Sequence, residues 1–135
     1  MAIQFSTAVR TARAAAIEPA IGTSPILEIR TGSKPANCAA SDSGSVLATM
    51  TLPSDWLETA SNGQVTIKGT WQDLTADAGG SAGHFRVKDS GGTTCHIQGS
   101  VTATGGGGDM TLDNVVIAEG QQVTITSATF TEGNS

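Results

Sequence analysis

Downstream of Gly22, apolar residues recur at every second position in short runs, and clusters of Gly, Ser, Asn and Asp separate the runs. Val46, Ala48, Met50 and Leu52 form one such set with Thr49 and Thr51 between them, and Val65, Ile67, Gly69 and Trp71 form another. Successive side chains leave a strand on opposite faces, so the pattern predicts strands with one buried and one solvated face. They fall near 26–31, 45–52, 64–71, 84–89, 93–102, 110–117 and 122–131. A set of this kind suits a mainly β fold, an antiparallel, jelly-roll-like β-sandwich of two sheets. In the last strand the apolar phase passes from Val123 and Ile125 to Ala128 and Phe130, which predicts a bulge near Ser127.

Upstream of Gly22 the period changes. Phe5, Val9, Ala12, Ala16 and Ala20 form a stripe at helical spacing, which predicts one amphipathic N-terminal α-helix. Ser6 or Thr7 can cap its start, while Pro19 and Gly22 should end it between Glu18 and Ile21. The chain thus reads as a single domain over 1–135, with the helix and its exit turn in 1–22 and the β-sandwich in 23–135. A stripe made largely of Ala buries little area by itself and needs a partner surface. Phe5, Val9, Ala12 and Ala16 are therefore candidate interface residues. Trp56 joins them, because tryptophan offers a large apolar surface and one donor to a protein or a sugar, although covering one end of the core would use the same properties.

A chain of 135 residues can bury about 68% of its unfolded surface, enough for one core without metals or disulfides. With three Phe, two Trp and no Tyr, that core must be largely aliphatic. A net charge of -5 with seven Lys plus Arg disfavours nucleic acid, and no apolar run approaches the ~20 residues of a membrane span. Arg10, Arg13 and Glu18 interrupt the Ala-rich start, so no targeting segment is expected there. Two cysteines, Cys38 and Cys95, are too few for a disulfide framework, and in a cytosol both are expected as free thiols.

The hairpin at Asp89 tests the register. A three-residue loop of Ser90, Gly91 and Gly92 would pair Val87 with Cys95 and Phe85 with Ile97, all inward, and place Arg86 opposite His96 outside. In that arrangement His84 and His96 point away from Cys95, so the three do not converge as metal ligands, and Cys95 with His96 is no catalytic dyad. Gly105–Gly108 lacks the Lys-Ser/Thr ending of a phosphate loop and reads as a flexible connection able to adapt to a neighbour. Asp42, Asp73, Asp77, Asp89, Asp109 and Asp113 lie in predicted turns, where Asp commonly accepts from nearby backbone amides. No catalytic, cofactor-binding or metal-ligating set is expected, and scattered aspartates are the only footing for a carboxylate-based polysaccharide hydrolase.

Several segments together carry a resemblance. They are Met1-Ala2-Ile3-Gln4-Phe5-Ser6-Thr7-Ala8-Val9-Arg10, Pro35-Ala36-Asn37-Cys38-Ala39-Ala40 and Leu52-Pro53-Ser54-Asp55-Trp56. With them go Gly69-Thr70-Trp71, Gly83-His84-Phe85-Arg86, the Asp89-Ser90-Gly91-Gly92 turn and Gly105-Gly106-Gly107-Gly108-Asp109-Met110. Over nearly its whole length the chain resembles small virion structural proteins of tailed bacteriophages. The resemblance implies a non-enzymatic capsid decoration or cement protein, made in the host bacterial cytoplasm and carried in the virion. Its partners would be other virion proteins, above all the major capsid protein, and further copies of itself in a homo-oligomer. A tail-associated receptor- or glycan-binding module is the alternative.

Overall fold

The computed structural model describes residues 3–132. Ser6 caps the first helix as its sequence predicts, its Oγ accepting from the Val9 amide at 3.2 Å. The single predicted helix is interrupted: α1 spans Thr7–Ala15 and α2 spans Ile17–Ile21, joined at Ala16. The break accommodates Pro19, which now lies in the first turn of a new helix, where an amide donor is not required.

Among the described residues nine strands follow: β1 Ile26–Thr31, β2 Val46–Thr51, β3 Gln64–Thr66, β4 Gln72–Asp73, β5 Gly80–Lys88, β6 Cys95–Ala103, β7 Met110–Leu112, β8 Val116–Ile117 and β9 Val123–Thr131. The protein is mainly β, but the expected antiparallel, jelly-roll-like sandwich is replaced by a mixed, curled sheet. Its hydrogen-bonded path runs β2-β1-β5-β6-β7-β9-β3, with β4 on β9 and β8 on β5. The ladders are antiparallel except β6 with β7, where Val101, Thr102 and Ala103 pair with Met110, Thr111 and Leu112 in parallel.

Parallel neighbours ordinarily need a crossover of a dozen or more residues, yet only residues 104–109 separate these two. The glycine run makes this possible by folding back along β6. Gly108 N donates to Thr102 Oγ1 at 2.9 Å, Ser100 N donates to Asp109 Oδ2 at 2.9 Å, and Asp109 N returns to Ser100 Oγ at 3.2 Å. A Cβ at Gly106 or Gly108 would come within 2.8 Å of the Thr102 side chain. Gly105–Gly108 is thus a packed fold-back, and close approach rather than adaptability accounts for glycine at 106 and 108.

Bulges set which side chains turn inward. Thr111 pairs with Ser127 but Leu112 pairs with Ile125, which places the predicted bulge at Thr126 and keeps Val123, Ile125 and Ala128 buried. In β2, Ile29 pairs with Ala48 and Arg30 with Val46, so the extra residue Leu47 joins Ala48 in the core. The predicted strand 64–71 stops at Thr66, after which Ile67 makes one bridge to Leu57 and Trp71 turns into the core. Trp56 and Trp71 lie there with centroids 6.0 Å apart, beside Leu27, Ile29, Met50, Leu52 and Val65.

Candidate functional site

The helices are tied to the β body through the side opposite the predicted stripe. Ala14 is buried, and Ile17 and Ile21 pack on the core. Gly63 N donates to Thr11 Oγ1 at 2.8 Å, and Arg13 pairs with Glu132 at 3.1 Å. Glu18 Oε2 accepts from the amides of Trp56 at 2.8 Å and Leu57 at 2.7 Å, so one carboxylate joins α2 to the 52–57 segment. Sequence spacing gave no sign of this clamp, because it depends on a contact 38 residues away.

Phe5, Val9, Ala12 and Ala16 consequently face solvent, with Phe5 and Val9 each 43% exposed. Ile3 extends the apolar surface at 75% exposure, and the Arg13 guanidinium lies 5.1 Å from the Phe5 ring centroid. Trp56 leaves the interface set. It is 0% exposed, its Nε1 donates to Gly22 O at 3.0 Å, and neither a sugar nor a partner can reach its ring. The 52–57 segment runs through a bend at Ser54 and Asp55 and delivers Trp56 to the core beneath α2.

The outer face of β1 and β5 carries Glu28, Arg30, His84, Arg86 and Lys88, and alternation alone predicts it solvated. Residues 33–45 instead fold over it, leaving Arg30, His84, Arg86 and Lys88 buried. The loop delivers Asp42, whose Oδ1 accepts from Arg86 Nη1 at 2.6 Å and whose Oδ2 accepts from Lys88 Nζ at 2.7 Å and Arg30 Nη2 at 3.2 Å. Glu28 Oε1 takes Arg30 and Lys88 from the other side, both at 3.0 Å. Arg86 Nη2 donates to the carbonyls of Asn37 and Cys38, and Gln98 Nε2 donates to Pro35 O at 2.8 Å. The loop's backbone is therefore satisfied by the sheet's cations and amide. The Lys88 hydrogen bond, with Arg86 and Arg30 nearby, outweighs burial and lowers the Asp42 pKa from 3.8 to about 2. Burial opposes the Lys88 charge, but Asp42 and Glu28 hold its pKa above the usual lysine value.

The hairpin at Asp89 differs from the expected one. Lys88 pairs with Cys95 and Val87 with Ile97, so His96 is the extra residue of a bulge, and Asp89 N donates to Thr94 O at 3.0 Å across a four-residue loop. Arg86 lies opposite Gln98, and Phe85 opposite Gly99. The bulge turns Cys95 to the covered face, where its Sγ sits 2.8 Å from Cys38 Sγ; the two thiols are free but in contact. Burial, then the Cys38 hydrogen bond, pushes the Cys95 thiol up to about 12. His84, expected outside, is buried; its Nδ1 donates to Gly32 O at 2.9 Å and its Nε2 has no hydrogen-bond partner.

Asp89 accepts from the nearby Thr93 and Thr94 amides as a turn aspartate is expected to, whereas Asp73 lies in β4, not in a turn, and accepts from the Thr49 and Thr75 amides, and Asp109 reaches across to Ser100 N. Asp77 accepts from the Thr49 hydroxyl at 2.7 Å. Among the described residues no three His, Cys, Asp or Glu side chains gather closely enough to hold a metal ion, and no helix is long and apolar enough to cross a membrane. A cleft of about 470 Å³ opens between α2 and the β6 and β9 strands, walled by Ile17, Ile21, Phe85, Ile97 and Phe130 with Asp109 at its edge. No protein-family model, curated protein or solved structure matches the chain.

Proposed function

We propose that this chain is a non-enzymatic structural protein of a tailed-bacteriophage particle, a decoration or cement protein that docks on the major capsid protein as a homo-oligomer. One observation carries the reading: a helix fastened to a β body by one side turns Phe5, Val9, Ala12 and Ala16 to solvent on the other. The occupant of that stripe is a second copy of the chain. Small Ala side chains permit close helix approach, while Phe5 and Val9 supply the apolar area. Each oligomer then meets capsid subunits through several weak contacts at once. Later contacts form at the high effective concentration that the earlier ones create.

The resemblance of the quoted segments to phage virion proteins supports the same reading. The glycan-binding alternative loses its main support, since Trp56 is inaccessible. Cryo-electron microscopy of the phage particle that encodes the chain tests the proposal. The expected map holds copies on the outer capsid lattice, with α1 stripes of neighbouring copies in contact. A particle without the chain, or copies confined to the tail tip, overturns it.

A further inference from the structure

We propose that Cys38 and Cys95 form a redox site, a dithiol that closes to an intramolecular disulfide by exchange with low-molecular-weight disulfides and so pins the 33–45 loop over the charged face of the sheet. The two sulfurs lie 2.8 Å apart although the residues are 57 positions apart in sequence. Cys38 rides on the covering loop and Cys95 opens β6, so a bond between them spans the loop and the sheet it covers. Both are half-buried and line a surface cleft of about 510 Å³ together with Ala39, Asp42, Arg86 and Thr93. A small disulfide can therefore reach them.

The surroundings divide the labour between the two thiols. Arg86 donates to the Cys38 carbonyl and lines the same cleft as both sulfurs, and its positive charge favours the Cys95 thiolate against burial. Cys95 is held as a thiol by burial and by Cys38, so Cys38 attacks first. Its thiolate bonds to one sulfur of the small disulfide, whose S–S bond breaks and releases one small thiolate. Cys95 then gives up its proton to solvent or to that thiolate and attacks the Cys38 sulfur. The protein disulfide forms, the mixed disulfide breaks, and a second small thiol leaves. Two protein thiols are oxidised and one small disulfide is reduced to two thiols. The mixed disulfide itself prepares the second step, because it removes the Cys38 thiol that contributes to the raised Cys95 pKa.

The test incubates the full chain with oxidised glutathione and follows intact mass without reductant. The expected product is lighter by two hydrogens, carries no glutathione, yields a peptide joining Cys38 to Cys95, and reverts with dithiothreitol. Closing a loop of this length should raise the thermal midpoint by about 10 °C. Cys95→Ser should trap a glutathione adduct on Cys38, while Cys38→Ser should react more slowly, because burial still favours the protonated Cys95 thiol. Retention of both thiols, a stable adduct on the unsubstituted chain, or disulfide-linked dimers would overturn the proposal. So would an oxidised chain whose midpoint does not move. The mass measurement on the unsubstituted chain stands even if a serine variant fails to fold.

Discussion

The outer side of α1 and the outer face of β5 invert the ordinary relation between polarity and burial in opposite directions. Along α1 and the segment leading into it the apolar residues Val9 and Phe5 lie in solvent, while on β5 Arg86 and Lys88 are among the buried residues. Each inversion has a local cause. α1 is held by Ala14 and the Gly63–Thr11 hydrogen bond, and α2 by Ile17 and the Glu18 clamp, which uses up the other side of both. The strand is roofed by the 33–45 loop, which brings Asp42 to three cations and offers its carbonyls to Arg86. Exposed apolar surface can await another copy of the chain. Buried charge is already satisfied within one, so the two regions should respond oppositely to substitution.

The largest effect is expected at Arg86. Arg86→Ala strands Asp42 Oδ1, Gln98 and two loop carbonyls and opens a cavity, and breaking a buried pair of this kind costs about 3 kcal/mol. Urea unfolding measures it, and a loss below about 1 kcal/mol would mean the loop does not roof the sheet. Asp42→Asn should cost less, about 1 to 2 kcal/mol, because the Asp42 side chain is 35% exposed and Glu28 still pairs with Lys88 and Arg30.

The same pair gives a pH dependence of definite sign. Asp42 has a folded pKa below its unfolded one, so its contribution is complete above 3.8 and is lost as pH falls through about 2. Lys88 has a raised folded pKa, so its contribution is complete below 10.5 and is lost as pH rises through the higher folded value. Urea midpoints at pH 5 and pH 2 should therefore differ less in Asp42→Asn than in the unsubstituted chain. Equal differences would remove Asp42 from the account. The smallest effect on stability is expected from Val9→Asp, within about 0.5 kcal/mol, since the side chain makes no core contact.

What the sequence disclosed follows from where its signals are local. β1 occupies the predicted 26–31, the Ser6 cap forms, and the phase slip after Ile125 is a bulge at Thr126, because each depends on neighbours in sequence. Alternation also sorted Arg86 and Lys88 from Phe85 and Val87 correctly. It could not show that a loop without periodicity would cover the polar side, so the site around Asp42 was not legible. The hairpin failed for a related reason: a shorter loop satisfied the alternation equally well, and the bulge at His96 that resets the phase leaves no mark in composition. The parallel β6–β7 pair escaped because it depends on glycine packing against Thr102, not on any strand pattern. The stripe on α1 was found by its period, but period does not say which side of a helix the rest of the chain will take.

The most direct measurement is the solution mass of the chain by light scattering, beside that of Val9→Asp at equal concentration. Association through the α1 stripe predicts a mass of two or more chains for the unsubstituted protein and 13.6 kDa, one chain, for the variant, with both β folds intact. The same mass for the two proteins would contradict it.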